Sequence, residues 1–278
     1  MKYQRSILSI LFSLGLTSLA MAGDVQTNLN TQQGDTTSPW AFNLSAYMWL
    51  AGATGNFSAG PLSRSVDTSF IDINSQSRRF PLGFMGRAEA SYDRFGFYLD
   101  GNYMDLQLKP KLNSLSNGLD STLGLMDYGF MYRVFGPAAS AMSAVQNQKR
   151  PNRLDVYIGA RTLWLDNSIE LASPGGLLER GASRSQTFTS PIIGSRVLVD
   201  FTPQVFMLMD GNVGGFGAQS VTFTGGILGL IGYRMSDLGL PVSIEAGYKA
   251  LRYNLDRGGP VQTNATLNGP FLGFTGYW

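Results

Sequence analysis

From residue 40 to the end of the chain, apolar side chains return at every second position, in ten separate segments. A period of two is the signature of a strand with one apolar face. In residues 40–50 the even positions are Trp40, Phe42, Leu44, Ala46, Met48 and Leu50, with Asn43 and Ser45 between them. Within 121–135, Met126, Tyr128, Phe130, Tyr132 and Val134 alternate with Asp127, Gly129, Met131 and Arg133. Within 220–235, Val221, Phe223, Ile227, Ile231 and Tyr233 alternate with Ser220, Thr222, Thr224 and Arg234. The remaining segments are 82–92, 95–107, 153–165, 186–201, 204–213, 241–253 and 262–278. No stretch of eighteen apolar residues occurs among them, so no transmembrane helix is expected.

Alternation alone fits a soluble β-sandwich as well as a membrane barrel. The two differ in the outward face, which in a sandwich is rich in Lys, Glu and Thr. Here only 14% of the residues are charged and 12% are aromatic, and mean hydropathy is close to zero. Aromatic side chains gather near segment ends, at Trp40, Tyr92, Phe95, Tyr132, Phe135, Trp164, Tyr233, Tyr253, Tyr277 and Trp278. That is where the interfacial girdles of a membrane barrel lie. The expected fold is all-β: a transmembrane antiparallel up-and-down β-barrel of ten strands, with eight or twelve left open.

An even strand count puts both chain ends on one side of the membrane, and short inner turns should alternate with longer outer loops. The outer loops fall at 51–81, 108–120, 166–185, 214–219 and 254–261. The inner turns fall at Asp93-Arg94, 136–152, Thr202-Pro203 and 236–240. The exception to shortness is 136–152, an Ala/Ser/Gln-rich stretch with room for a turn of helix. If Asp93-Arg94 is a two-residue turn, Tyr92 faces Phe95, Arg87 faces Asp100, Glu89 faces Tyr98 and Met85 faces Asn102.

The first 22 residues read as a signal peptide. Lys2 and Arg5 precede an apolar run from Ile7 to Ala20, and Ala20-Met21-Ala22 supplies a small-x-small cleavage site. Residues 23–39 read as a flexible periplasmic leader, and 40–278 as the barrel. Without Lys2 and Arg5, nineteen basic residues face nineteen acidic ones with no block of like charge. Nucleic-acid binding therefore has no electrostatic basis. The chain lacks cysteine, which excludes disulfides, cysteine nucleophiles and a lipidated N-terminal cysteine. It lacks histidine as well, the side chain best suited to moving protons near neutral pH.

The final segment, Gly269-Pro-Phe-Leu-Gly-Phe-Thr-Gly-Tyr-Trp278, resembles the terminal strand of outer-membrane barrels. Leu272, Phe274 and Trp278 fill its alternating apolar register, with tryptophan in place of the usual terminal phenylalanine. Asn43-Leu-Ser-Ala-Tyr-Met-Trp-Leu50, Gly83-Phe-Met-Gly86, Gly159-Ala-Arg161 with Trp164, Val213-Gly-Gly-Phe-Gly217 and Gly247-Tyr-Lys249 extend the likeness over most of 40–278. Together they resemble a widespread group of small Gram-negative outer-membrane β-barrel proteins. The resemblance implies outer-membrane lipid and lipopolysaccharide as surroundings. It also implies that the barrel assembly machinery reads Leu272, Phe274 and Trp278 as an assembly signal.

The faces opposite the apolar ones carry a charge network of both signs: Arg87, Glu89, Asp100, Asp127, Arg133, Asp155, Arg161, Arg196, Asp210, Arg234, Glu245 and Lys249. Pointed into a lumen, these side chains neutralise one another or line a narrow polar path. No spacing singles out a catalytic, cofactor or metal site. Asp67 and Asp72 are too sparse for a cation, and Gly214-Gly-Phe-Gly217 lacks the Lys-Ser/Thr of a phosphate loop and reads as a tight external turn. Two non-enzymatic readings follow. One is a narrow passive channel or transporter for small solutes. The other is a structural or surface-interaction barrel with a plugged lumen, acting through its extracellular loops.

Overall fold

The computed structural model describes residues 38–59, 62–68, 85–108, 118–139, 149–172, 179–235, 240–256 and 261–278. The expected signal segment, all but the last two residues of the expected leader, Asp72 and most of 136–152 lie outside them. Twelve strands follow in chain order: β1 (Trp40–Trp49), β2 (Gly52–Ala59), β3 (Leu62–Thr68), β4 (Met85–Tyr92), β5 (Phe95–Leu108), β6 (Gly118–Phe135), β7 (Arg153–Ala172), β8 (Glu179–Asp200), β9 (Val205–Ala218), β10 (Val221–Met235), β11 (Val242–Asp256) and β12 (Val261–Tyr277).

Ten of them close a barrel. β1 pairs antiparallel with β4, β4 to β12 pair in sequence order, and β12 returns to β1 from Asn43↔Tyr277 to Trp49↔Phe271. Closure leaves the wall without an unpaired edge, which a bilayer requires of any strand-built structure. The ten expected segments are these ten strands. The Asp93-Arg94 turn sets the expected register, with Arg87 opposite Asp100, Glu89 opposite Tyr98 and Tyr92 opposite Phe95. Asp93 takes φ +53°, in the left-handed region that aspartate tolerates better than most residues.

The outer connections depart from the expected loops. β1 runs on through a Leu50 N–H to Pro270 carbonyl bond into β2, which pairs with β12 in the same register, and β3 folds back on β2. The 51–81 connection therefore begins as a strand hairpin. β7 and β8 extend through much of 166–185 and reach 20 and 22 residues. The turn expected at 214–219 narrows to Gln219-Ser220, because β9 continues to Ala218. It does so through a bulge, where Gly215 (φ +98°), Phe216 (φ +50°) and Gly217 (φ +82°) take left-handed conformations.

The outward face carries the apolar alternation. Phe130, Ile158 and Ile231 are 68%, 62% and 60% exposed, as a surface bathed in hydrocarbon should be. Trp40, Tyr92, Phe95, Tyr132, Phe135, Tyr233 and Trp278 form the outward girdle at the end holding the short turns. Tyr253 and Tyr277 do not join a girdle. Each has the odd, inward parity of its strand; Tyr253 is buried in the lumen and Tyr277 is half-buried on the cavity wall. Val221 is also displaced from its expected outward face. The register shifts between Val221 and Phe223 against both neighbours, so Val221 turns inward while Phe223 stays outside.

Candidate functional site

The lumen is divided along its length. In the half nearest the short turns, cross-strand pairing places opposite charges side by side: Asp127 with Arg161, Arg133 with Asp155, Asp155 with Arg196, and Arg196 with Asp210. The strand period of two carries all of them to the same face as Arg87 and Asp100.

The ion pairs extend beyond adjacent strands. Arg87 Nε donates to Glu89 Oε1 at 2.5 Å, and its guanidinium lies 3.4 Å from Asp100 Oδ2. Arg196 reaches from β8 to Glu89 on β4 at 2.8 Å and also donates to Asp210 at 3.2 Å. Arg133 Nε donates to Asp155 at 2.9 Å. Arg161 grips Asp127 through both carboxylate oxygens, at 2.7 and 2.6 Å, and crosses the lumen to Asn212 on β9 and Thr224 on β10. Lys249 stands 3.9 Å from Asp100 and 5.0 Å over the Tyr47 ring, while the Tyr47 hydroxyl donates to Asp100. Tyr157 donates to Asp210 at 2.6 Å. Glu245 accepts from Ser243 at 2.7 Å. The eleven charged positions of the expected network, with Arg234, thus all face one interior. Leu272, Phe274 and Trp278, expected to serve as an assembly signal, face outward at the end of the chain, and Trp278 exchanges both backbone bonds with Phe42 across the closing seam.

Alternation did not pick out every member of the network. Arg153 shares Asp155 at 3.5 Å, and Arg234 pairs with the fully buried Asp200 at 2.8 Å. Both Arg153 and Asp200 have inward parity, a signal the sequence carried at segment ends. Arg150 lines the same space from the segment before β7, where no periodicity marks it. Tyr47, Tyr157, Asn212 and Thr224 complete the hydrogen bonding from positions that look like ordinary strand residues.

The outer half of the lumen is a different medium. Trp49, Met85, Leu123, Leu125, Leu163, Phe188, Leu251, Tyr253 and Leu267 meet there in a buried cluster that continues into the inner half through Leu198, Phe206 and Leu230. The gap left between Leu125, Phe188, Val221 and Leu251 measures about 10 Å³, at the lower limit for one water molecule. The inner half holds a cavity of about 80 Å³, room for several waters, between the charged wall and a second wall of Leu198, Phe206, Leu208, Leu228 and Leu230. Among the described residues no cluster of three metal-ligating side chains forms.

No protein-family model and no curated protein matches the chain. Among solved structures it is similar to Ail, the attachment invasion locus protein of Yersinia pestis, at 10% identity over 87% of this chain and 99% of that one, with a TM-score of 0.35. It is similar to Neisserial surface protein A (NspA) at 15% identity over 86% and 97%, with a TM-score of 0.28. It is similar to the outer membrane protease OmpT from Escherichia coli at 7% identity over 90% and 100%, with a TM-score of 0.44. The chain's own closed wall, apolar exterior and aromatic girdle make it an outer-membrane β-barrel of the Gram-negative type.

Proposed function

We propose that the protein is a closed, non-enzymatic barrel that acts at the cell surface through the strands it raises above the membrane. The observation carrying this reading is the apolar cluster across the outer half of the lumen. A solute path needs room for water, and Leu125, Leu163, Phe188 and Leu251 leave a gap of only about 10 Å³. The inner charges then serve mainly to satisfy one another.

The strand lengths support the same reading. At about 3.3 Å per residue and a tilt near 40°, a 20-residue strand such as β7 rises about 50 Å. The hydrocarbon band is about 25 Å, so the β7–β8 hairpin stands well clear of it. With the β2–β3 hairpin it offers strand surface to an extracellular partner, lipopolysaccharide included. Chemistry has little to work with: the chain has no histidine and no cysteine, and most lumen carboxylates are engaged by arginine or lysine.

Planar-bilayer recording of the refolded protein tests the proposal. The native barrel should stay silent, and Leu125→Ala combined with Phe188→Ala should admit current. Single-channel steps from the native protein that change with Arg87→Ala or Asp100→Ala would instead establish the channel reading.

A further inference from the structure

Among the described residues, the end of the lumen nearest the short turns holds more arginine than its carboxylates match. Arg133, Arg150, Arg153 and Arg234 converge there on Asp155 and Asp200. Asp155 is shared, with Arg133 at hydrogen-bond distance and Arg153 at 3.5 Å. Among the described residues Arg150 has no ion pair, and even when Glu245 on the cavity wall is counted, one of the four guanidinium groups has no described carboxylate of its own.

Nε of Arg234 has no hydrogen-bond acceptor, Nε of Arg153 reaches Asp155 Oδ2 only at 3.5 Å, and Asp200 Oδ2 beside them accepts no hydrogen bond. Buried N–H groups of charged side chains are costly to leave unpaired, so Arg234 Nε leaves a place for a further acceptor. The Arg150 pKa is pulled down first by its burial and next by the nearby Arg234 charge, the effect of cations gathered without enough counter-charge. Facing the arginines across the same cavity are Leu198, Phe206 and Leu230, and the Arg234 guanidinium lies 4.2 Å over the Phe206 ring.

We propose that this inner half-lumen is a binding site for a small oxyanion bearing an apolar group, such as a carboxylate or phosphate monoester. Arg150, Arg153 and Arg234 hold the anionic head, and Leu198, Phe206 and Leu230 cover the apolar part. Guanidinium groups suit this head because their planar donors pair with two oxygens at once. The site lies in the half of the lumen nearest the short turns, away from the β2–β3 and β7–β8 hairpins, so it is independent of the surface role.

Phenyl phosphate and inorganic phosphate are the probes, titrated calorimetrically into the full barrel in vesicles of neutral phosphatidylcholine. Phenyl phosphate should bind one to one and about tenfold more tightly than inorganic phosphate, a gap of the size one buried apolar group gives. Arg150→Gln, outside every strand, should weaken both probes about tenfold, as losing one charge-assisted contact does. Leu230→Asn should weaken phenyl phosphate alone. Adding phosphatidylglycerol separates the sources of the head group. Competition assigns the site to a lipid head, and undiminished binding assigns it to a free ester; either keeps the site. Binding no greater than to empty vesicles overturns the proposal, as does binding unchanged in both Arg150→Gln and Arg153→Gln. The heat-dependent gel shift of each variant verifies that the barrel has formed.

Discussion

Replacing Arg161 by methionine removes the charged partner of Asp127 while keeping most of the side chain's bulk. Arg161 is 5% exposed, and its guanidinium makes two bonds to Asp127, one to Thr224 at 2.8 Å and one to Asn212 at 3.0 Å. Taking one member from a buried ion pair costs about 3–5 kcal/mol, because the other keeps its desolvation penalty without compensation. Thr224 is cushioned, since its hydroxyl still donates to the Arg252 carbonyl at 3.2 Å. A loss of about 4 kcal/mol lowers the folding equilibrium constant roughly a thousandfold. With a urea slope of about 2 kcal/mol per molar, the unfolding midpoint falls by about 2 M. Urea titration of the barrel in vesicles, followed by tryptophan fluorescence and gel mobility, measures that shift. Pairing the change with Asp127→Leu removes both charges and should bring stability back to within about 1 kcal/mol of native. A single variant that loses less than about 1 kcal/mol, or a double variant no better than the single, would refute the reasoning.

Three further outcomes are expected. Ile231→Arg places a charge on the lipid face and should destabilise the barrel by about 2–4 kcal/mol if Ile231 lies near mid-bilayer, read as a lower urea midpoint. Gly159→Val should cost about 1–3 kcal/mol, because a Cβ there collides with the Tyr128 carbonyl and meets the Tyr98 hydroxyl at 2.8 Å, while Ala160→Val on the outer face should be nearly silent. Deleting Trp278 removes the two backbone bonds to Phe42 that finish the seam, and the variant should accumulate unassembled in the periplasm, seen by cell fractionation.

The parts of the fold governed by local rules were legible. Asp93-Arg94 set a register because a two-residue hairpin admits only one, and that register placed Arg87 against Asp100. The ten barrel strands were legible because a lipid-facing side chain must be apolar at every second position. What escaped were places where the pattern has no contrast. Leu123, Leu125 and Leu163 point inward although they are apolar, so both faces of those strands look alike and alternation cannot tell lipid from lumen. Val221 was misplaced because a bulge inverts parity, and nothing in Gln219-Ser220-Val221-Thr222 announces one. The β2–β3 hairpin was hidden for another reason. Strands above the membrane need not present an apolar face, so Gly52–Thr68 shows no period.

The division of the lumen follows from what each half can reach. A ten-stranded wall leaves more width than short side chains fill, and the inner half closes it with long ones. Arg196 spans to Glu89, and Arg161 spans to Asn212 and Thr224, so each arginine ties together strands that are not neighbours. Charge is tolerated there because the 80 Å³ cavity beside it has room for water, which lowers the cost of desolvation. In the outer half the same width is closed by apolar and aromatic side chains from β1, β6, β7, β8, β11 and β12, with little room for water to solvate a charge. That apolar layer lies directly beneath the length of β7 and β8 that exceeds a membrane crossing. Packed side chains occupy few rotamers, so the base of the β7–β8 hairpin is fixed before any partner arrives. A water-filled outer lumen would let solutes pass but leave those strands loosely seated. On the proposed surface role, a solid one gives up the path and holds the surface strands ready to bind.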